Sequence, residues 1–478
     1  MQTRREFLQT ATGLGGAVAV AALLTDKASA LLSAFAKPDL DSGWNRVPEI
    51  LDRIKSPVFP KREFNITKFG AVPDNKTDST LPFQRAIAAC AAAGGGRVIV
   101  PPGEFLTGAI HLKSNVNLHV VAGGLVRFTS DTSKYPMVMT RFEGTELMNY
   151  SPFIYAFEQE NIAITGEGTL DGDASCETWW GWRASSVCAA GKTRDQRPDR
   201  DLLVQMAEQG VPVAKRVFGP GHWLRPNFIQ PYRCKNVLLE GVTLLRSPMW
   251  QVNPVLCTNV TVRRLNINAD GPNTDGCDPE CCSDVLIEDC TFNTGDDCIA
   301  TKSGRNADGR RIGVPVENIV IRNCQMKNGH SGVTIGSEIS GGARNIFAEN
   351  CHMSSPKLDF AIRVKNNAMR GGVVENIFVR DITVGEVRQA VVSIDFNYEE
   401  GRNGKFVPVA RKIEIEKLQS GKSEHALYLR GFENAPVEDV KFVDCDFAGV
   451  EKPDVVENVK GLDLRNVRIN GKAVRQSG

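Results

Sequence analysis

An asparagine or aspartate followed by a short, mostly apolar segment recurs along most of this chain, at Asn161, Asn236, Asn259, Asp284, Asn318, Asn345, Asn376 and Asp439. Where the units run consecutively they are about 23 to 34 residues apart, the spacing of a solenoid repeat. Each unit is too short to bury its own apolar face, so stacked units must share one core. The segments alternate and are rich in β-branched residues, so the rungs are strands. An Asn or Asp at each start suits a turn, because its side chain bonds to nearby backbone and tolerates left-handed geometry. The expected fold class is all-β, a parallel β-helix.

Departures from the repeat mark the other parts. Residues 78–93 place Leu81, Phe83, Ala86, Ile87 and Cys90 at helical spacing before a Gly94-Gly95-Gly96 stop. That single helix is expected to cap the open end of the solenoid, where unpaired backbone would invite aggregation. Residues 173–227 hold Trp179, Trp180, Trp182 and Trp223 among many charges, and are read as an insertion that walls one end of a cleft and offers aromatic faces to sugar. The 13 cysteines lack zinc-site spacing; Cys234, Cys257, Cys290, Cys324, Cys351 and Cys445 lie beside strand-like segments and are expected to point inward.

The N-terminus reads as a targeting segment. Thr3-Arg4-Arg5-Glu6-Phe7-Leu8 resembles the twin-arginine export motif, residues 12–24 are weakly apolar, and Ala28-Ser29-Ala30 is a small-residue cleavage signature. Residues 1–30 are therefore excluded from the fold, 31–60 are read as a linker and 61–478 as the β-helix domain. The expected destination is the periplasm or beyond. With 57 Lys+Arg against 56 Asp+Glu, the chain is not a general binder of nucleic acid or anionic membrane.

Four clusters carry chemistry: Gly271-Pro-Asn273-Thr-Asp275-Gly276, Thr294-Gly295-Asp296-Asp297, Asn328-Gly329-His330-Ser331 and Arg363-Val364-Lys365. Asp275 and Asp297 are 22 residues apart, one repeat, and His330 and Arg363 follow after about one longer repeat each. One turn of a β-helix returns the chain to the same face about 4.8 Å higher. Arg363 and Lys365, at i and i+2, leave a strand on one side. Periodicity thus gathers three carboxylates, an imidazole and two cations. Crowded carboxylates repel, so at least one should keep a proton near neutral pH, and an acid beside a carboxylate base is what glycoside hydrolysis needs. An acidic pH optimum is expected on that ground. The cations suit an anionic sugar.

These four motifs, NTDG, GDD, GHS and RVK in that order, resemble those of glycoside hydrolase family 28, the polygalacturonases, over residues 64–379. The resemblance implies a right-handed parallel β-helix that hydrolyses α-1,4-galacturonosidic bonds of pectin with inversion. It makes Asp296 the general acid, Asp275 and Asp297 the pair that activates water, and His330 the support of the acid or a substrate contact. Arg363 and Lys365 become the galacturonate clamp, Asn273 shapes the site, and Tyr398 contacts substrate or packs. Ser331 stands where the family has Gly and is expected to trim a subsite. Asp278 is read as structural, and Trp250 as lining groove or core. The segments 336–342 and 365–372 resemble bacterial exo-acting members, which implies attack from the non-reducing end. Alternatives from the same fold are a rhamnogalacturonan or xylogalacturonan hydrolase, an endo-polygalacturonase, a Ca²⁺-dependent pectate lyase and a non-catalytic pectin-binding solenoid. Nothing in the sequence calls for a metal or organic cofactor. The expected partner is a pectic polysaccharide or oligogalacturonide, with no nucleic acid, no membrane and a monomeric chain.

Overall fold

The computed structural model describes residues 43–183, 188 and 194–474. The segment read as an export signal, 1–30, lies outside them. The chain divides after residue 45, and the solenoid and its helices belong to the unit 46–478.

The described strands build a right-handed parallel β-helix, with a large outer sheet and a second face whose rungs carry the site. One inward column of that second face runs unbroken through ten rungs: Ile110, Ile154, Ile229, Val252, Cys277, Ile299, Val333, Ile362, Val392 and Leu427. All ten are buried. A strand alternates faces with period two, so fixing this column inward fixes its neighbours outward. Truncating one member, as in Ile299→Ala, costs about 2–5 kcal/mol and loosens the floor under the residues beside it. The strands concerned are β1 (Ile299–Thr301), β2 (Ser331–Ile335), β3 (Phe360–Lys365) and β4 (Ala390–Asp395).

The eight repeat-marking Asn and Asp residues all adopt φ between 53° and 58°, the left-handed geometry their side chains tolerate. The asparagines also form a ladder. Asn236 donates to Asn161, Asn259 to Asn236, Asn345 to Asn318 and Asn376 to Asn345, each at 2.7–3.2 Å. The Asp284 side chain has no N–H to continue it. There the segment 46–60, part of the expected linker, docks instead: helix α1 (Val47–Arg53) pairs Arg53 with Asp284 at 2.7 Å, and Lys55 N donates to the Asn259 side-chain carbonyl. The six cysteines expected to face inward are buried and free; the disulfide among the described residues joins Cys176 to Cys188.

Helix α2 (Thr80–Ala92) packs Phe83, Ala86, Ile87 and Cys90 over the first rungs, as the periodicity implies, while Leu81 is half exposed rather than part of that face. Two further helices were not evident from periodicity. Helix α3 (Gln196–Glu208) lies in the insertion, starts at the Asp195 cap and buries only Gln196, Leu203 and Ala207. Helix α4 (Asn306–Ile312) follows β1. A short apolar face among many charges leaves little helical signal.

Candidate active site

Rung register assembles the site. Cys277 pairs with Ile299, Ile299 with Val333 and Val333 with Ile362. Asp275 and Asp297 each stand two residues before their paired position, and Asp296 and His330 each stand three before theirs. The backbone confirms the stacking: Gly276 N donates to Asp297 O and His330 N to Asp296 O, both at 2.9 Å. One oxygen from each of Asp275, Asp296 and Asp297 lies within 4.8 Å of the others. Asp296, His330, Arg363, Lys365, Asn273, Asp275 and Tyr398 all line one cavity of about 300 Å³.

Each aspartate of the trio faces a different basic side chain. Lys302 Nζ is 3.6 Å from Asp275, Lys365 Nζ is 2.6 Å from Asp297, and His330 Nδ1 is 2.9 Å from Asp296. Burial, then the charges of Asp278 and Asp296, push the Asp275 carboxyl well up. Burial pushes Asp296 up too, but the His330 hydrogen bond and charge outweigh it and hold Asp296 well below the usual range. His330 is pushed up to about 9 by Asp296. Burial thus favours the protonated form at Asp275 and also at its buried neighbour Asp278, while the His330 contact favours the ionised form of Asp296, the reverse of what an isolated general acid would show.

The walls carry residues outside the four motifs. Lys302 Nζ lies 4.3 Å over the Trp250 ring and 3.3 Å from Glu338. Glu338 faces Arg305 at 3.7 Å, and Arg305 shares the Glu143 carboxylate, at 2.9 Å, with Arg200 of helix α3, at 2.6 Å. A chain of alternating charges therefore runs from Asp275 to the insertion. Lys302 had a readable signal: Ile299-Ala-Thr-Lys302 and Ile362-Arg-Val-Lys365 share one spacing, and their isoleucines occupy one column. The insertion is keyed to the Asp275 rung by Trp180, which donates to Ser247 O at 2.8 Å and lies so close to Gly271 that a Cβ there would meet Trp180 Cε2 at 2.1 Å.

The sequence model described as "Glycosyl hydrolases family 28" matches residues 220–469, more than half of the chain. The chain belongs to glycosyl hydrolase family 28. This family 28 glycosidase is similar to a hyperthermoactive exopolygalacturonase from Thermotoga maritima, at 45% identity and a TM-score of 0.88, covering 90% of this chain and 97% of that one. It is 29% identical to a probable polygalacturonase of Vitis vinifera over 78% of this chain and 71% of the relative. It is 25% identical to an exo-poly-α-D-galacturonosidase of Dickeya chrysanthemi over 73% of this chain and 59% of the relative.

Several expectations for this family 28 enzyme change on contact with the geometry. Lys365 donates to Asp297 while still lining the cavity, and beside it the buried Nε of Arg363 has no hydrogen-bond partner among the described residues, with its guanidinium 4.0 Å from the Phe360 ring centre and 5.5 Å from that of Tyr398. Asn273 spends its carbonyl on Arg183 and Arg225. Ser331 shares strand parity with Val333 and is fully buried, so it does not trim a subsite. Asp278 sits buried 3.8 Å from Lys302, and its charge adds to the burial that raises Asp275. Trp250 is both core and cavity floor. Trp179 and Trp182 are buried against one another at 4.8 Å, so they offer no face to sugar.

Proposed function

We propose that this chain hydrolyses the α-1,4 bonds of polygalacturonate with inversion, releasing galacturonate or a short oligomer from the non-reducing end. The observation that carries this reading is Arg363, a cation with an unspent buried donor in the same cavity as the acid trio. Such a group binds an anionic sugar and has no use for a neutral one. The insertion supports exo action, because Arg183, Gln196, Arg197 and Arg200 wall the cavity on the side of the Asp275 rung. The Thermotoga relative, similar over nearly its whole length, is itself an exopolygalacturonase.

The residue roles follow from exposure. Asp296 is the most exposed member of the trio, at 15% of its side chain, whereas Asp275 borders the same cavity at 3% and Asp297 lies beneath at 0%. Asp296 delivers the proton to the leaving oxygen, drawing it from His330 as substrate excludes water. Asp297, paired with Lys365, takes the proton of the attacking water, and Asp275 holds that water in line.

Product analysis on long, de-esterified polygalacturonate tests the reading. Monomer or one short oligomer should accumulate from the first minutes with little fall in viscosity, without added Ca²⁺ and without an ultraviolet-absorbing unsaturated product. A broad oligomer ladder would make the enzyme endo-acting, and a Ca²⁺-dependent unsaturated product would make it a lyase.

Export belongs to the same proposal. It rests on the twin-arginine-like start and cleavage signature of residues 1–30, and the Cys176–Cys188 disulfide fits an oxidising compartment. N-terminal sequencing of the mature protein should begin near residue 31; an intact Met1 in the periplasmic fraction would refute cleavage.

A further inference from the structure

Two arginines at the insertion end of the cavity have no carboxylate in ion-pair contact among the described residues. Arg225 is 1% exposed, yet it donates only to neutral acceptors: Gln196 Oε1 at 2.9 Å, Pro248 O at 2.8 Å, Pro272 O at 2.7 Å and Asn273 Oδ1 at 2.7 Å. Arg183 lines the cavity and donates Nε to the same Asn273 oxygen at 3.2 Å. Its terminal nitrogens make no hydrogen bond among the described residues, and neither arginine has a described carboxylate within 4 Å. Burial, then the neighbouring Arg183, bring Arg225 down to about 9 against the opposing pull of Glu143, Asp296 and Asp275, none of which touches it. Arg200, the next cation along this wall, is by contrast neutralised by Glu143.

A buried guanidinium such as Arg225, with a second guanidinium beside it and no carboxylate in contact, costs free energy unless an anion arrives to share the charge. The place of that anion is set by the rungs. Asn273 belongs to the Asp275 rung, and Arg363 lies three rungs further along the axis, about 14 Å away at one strand spacing each. The scissile bond, at Asp296, falls between them. The geometry points to a second carboxylate site: Arg183, seated on Asn273 and backed by Arg225, binds the carboxylate of the terminal sugar at the closed end of the cavity, while Arg363 takes that of the sugar beyond the cut. The enzyme then requires a free acid on the terminal residue and stops at a methyl-esterified chain end. This inference rests on the polygalacturonate reading given above.

The test uses the full-length protein and two trigalacturonates, one with every carboxylate free and one methyl-esterified only on its non-reducing terminal sugar. Wild type should prefer the free acid by on the order of 100-fold in kcat/KM, the scale of a lost charge-assisted contact. R183M should shrink that preference to a few-fold, R183K should fall between, and R363M should keep it. A preference that survives R183M overturns the inference, as does a wild type that takes the terminal ester equally well. Calorimetric binding of both trimers separates the two readings. An Arg183-dependent preference in binding without hydrolysis of either trimer sinks the hydrolase reading and keeps the carboxylate site; hydrolysis with no Arg183-dependent preference does the opposite. R183K retains the charge and the seat on Asn273, so a collapse of R183M accompanied by a lost melting transition is recognised as misfolding, and R183K then decides alone.

Discussion

Asp296 Oδ1 and His330 Nδ1 meet at 2.9 Å, and each holds the other in its charged form. The pair stores one proton on the imidazole, next to the carboxyl that faces the cavity. Crowding among the aspartates was expected to protonate the acid directly. Instead the crowding acts on Asp275, because Asp278 and Asp296 flank it while His330 shields Asp296. Substrate that displaces water from Asp296 weakens its ionised form, and the proton then has a short path from His330.

The alkaline limb of the rate profile should follow that store. His330 keeps its proton to about 9 in the free enzyme, so kcat/KM should hold through neutrality and fall as pH passes that region. His330→Asn removes the store and leaves Asp296 to titrate as a buried carboxyl. Its alkaline limb should move acidward by roughly two units or more, with a lower plateau. An unchanged limb in His330→Asn would separate His330 from the proton path.

Stability should carry the same signature. His330 is raised in the folded state, so its contribution is full below the ordinary 6.5 and is lost as pH rises through about 9. Asp296 is lowered, so its contribution is present above 3.8 and is lost as pH falls. The pair is worth most between these limits. Melting of His330→Ala against wild type should show its largest deficit near pH 5 to 6 and almost none at pH 10. A deficit that grows with pH would contradict the ion pair. His330 is half exposed, so solvent screening keeps the effect modest.

Lys365 and Arg363 should separate in kinetics although they sit two residues apart. Lys365→Met leaves Asp297 as a buried carboxylate without its partner, an effect of about 3–5 kcal/mol, and should lower kcat by at least about 100-fold as well as the melting point. Arg363→Met touches no member of the trio and should mainly raise KM. Steady-state kinetics of both on one oligogalacturonide decide this, and a purely KM-raising Lys365→Met would return Lys365 to the substrate clamp.

The contrast between these two residues shows what the sequence discloses. Asp275, Asp296, Asp297, His330 and Arg363 were legible because one period equals one rung, so spacing along the chain translates directly into stacking. Lys302 was half legible, through the Ile-x-x-Lys spacing it shares with β3, but it belongs to no named motif. Arg183 and Arg200 were illegible, because the insertion leaves the period and with it the register. That Lys365 pairs with Asp297, and that Ser331 faces the core, follow from a 2.6 Å contact and from strand parity. Neither is written in composition or order.

Gly271 and Trp180 should behave as one unit. A Cβ at Gly271 would meet Trp180 Cε2 at 2.1 Å, so Gly271→Ala must push the indole, and the insertion it keys, off the Asp275 rung. The expected cost is about 1–3 kcal/mol, with a product profile broadened toward longer oligomers as the closed end loosens. Trp180→Ala in the same chain should recover part of the Gly271→Ala stability loss while leaving the broadened profile. Additive losses in the double variant would mean that the two do not share this contact.

The anomeric outcome tests the trio itself. Oxygens of Asp275, Asp296 and Asp297 lie within 4.8 Å, below the roughly 6.5–9.5 Å usual between the carboxyls of an inverting pair and nearer the roughly 5–5.5 Å of a retaining one. Retention, however, needs a carboxylate free to attack the anomeric carbon. Asp297 is wholly buried with Lys365 on it, and Asp275 is buried and pushed toward its neutral form. Neither is a nucleophile that can reach sugar, but together they present two adjacent oxygens on which a water can sit beneath the ring. Attack by that water, opposite a leaving oxygen protonated from Asp296, turns an α linkage into a β product. Proton NMR in the first minutes of reaction should therefore show the β anomer ahead of mutarotation, and an initial α anomer would reassign one of the two buried aspartates as a covalent nucleophile.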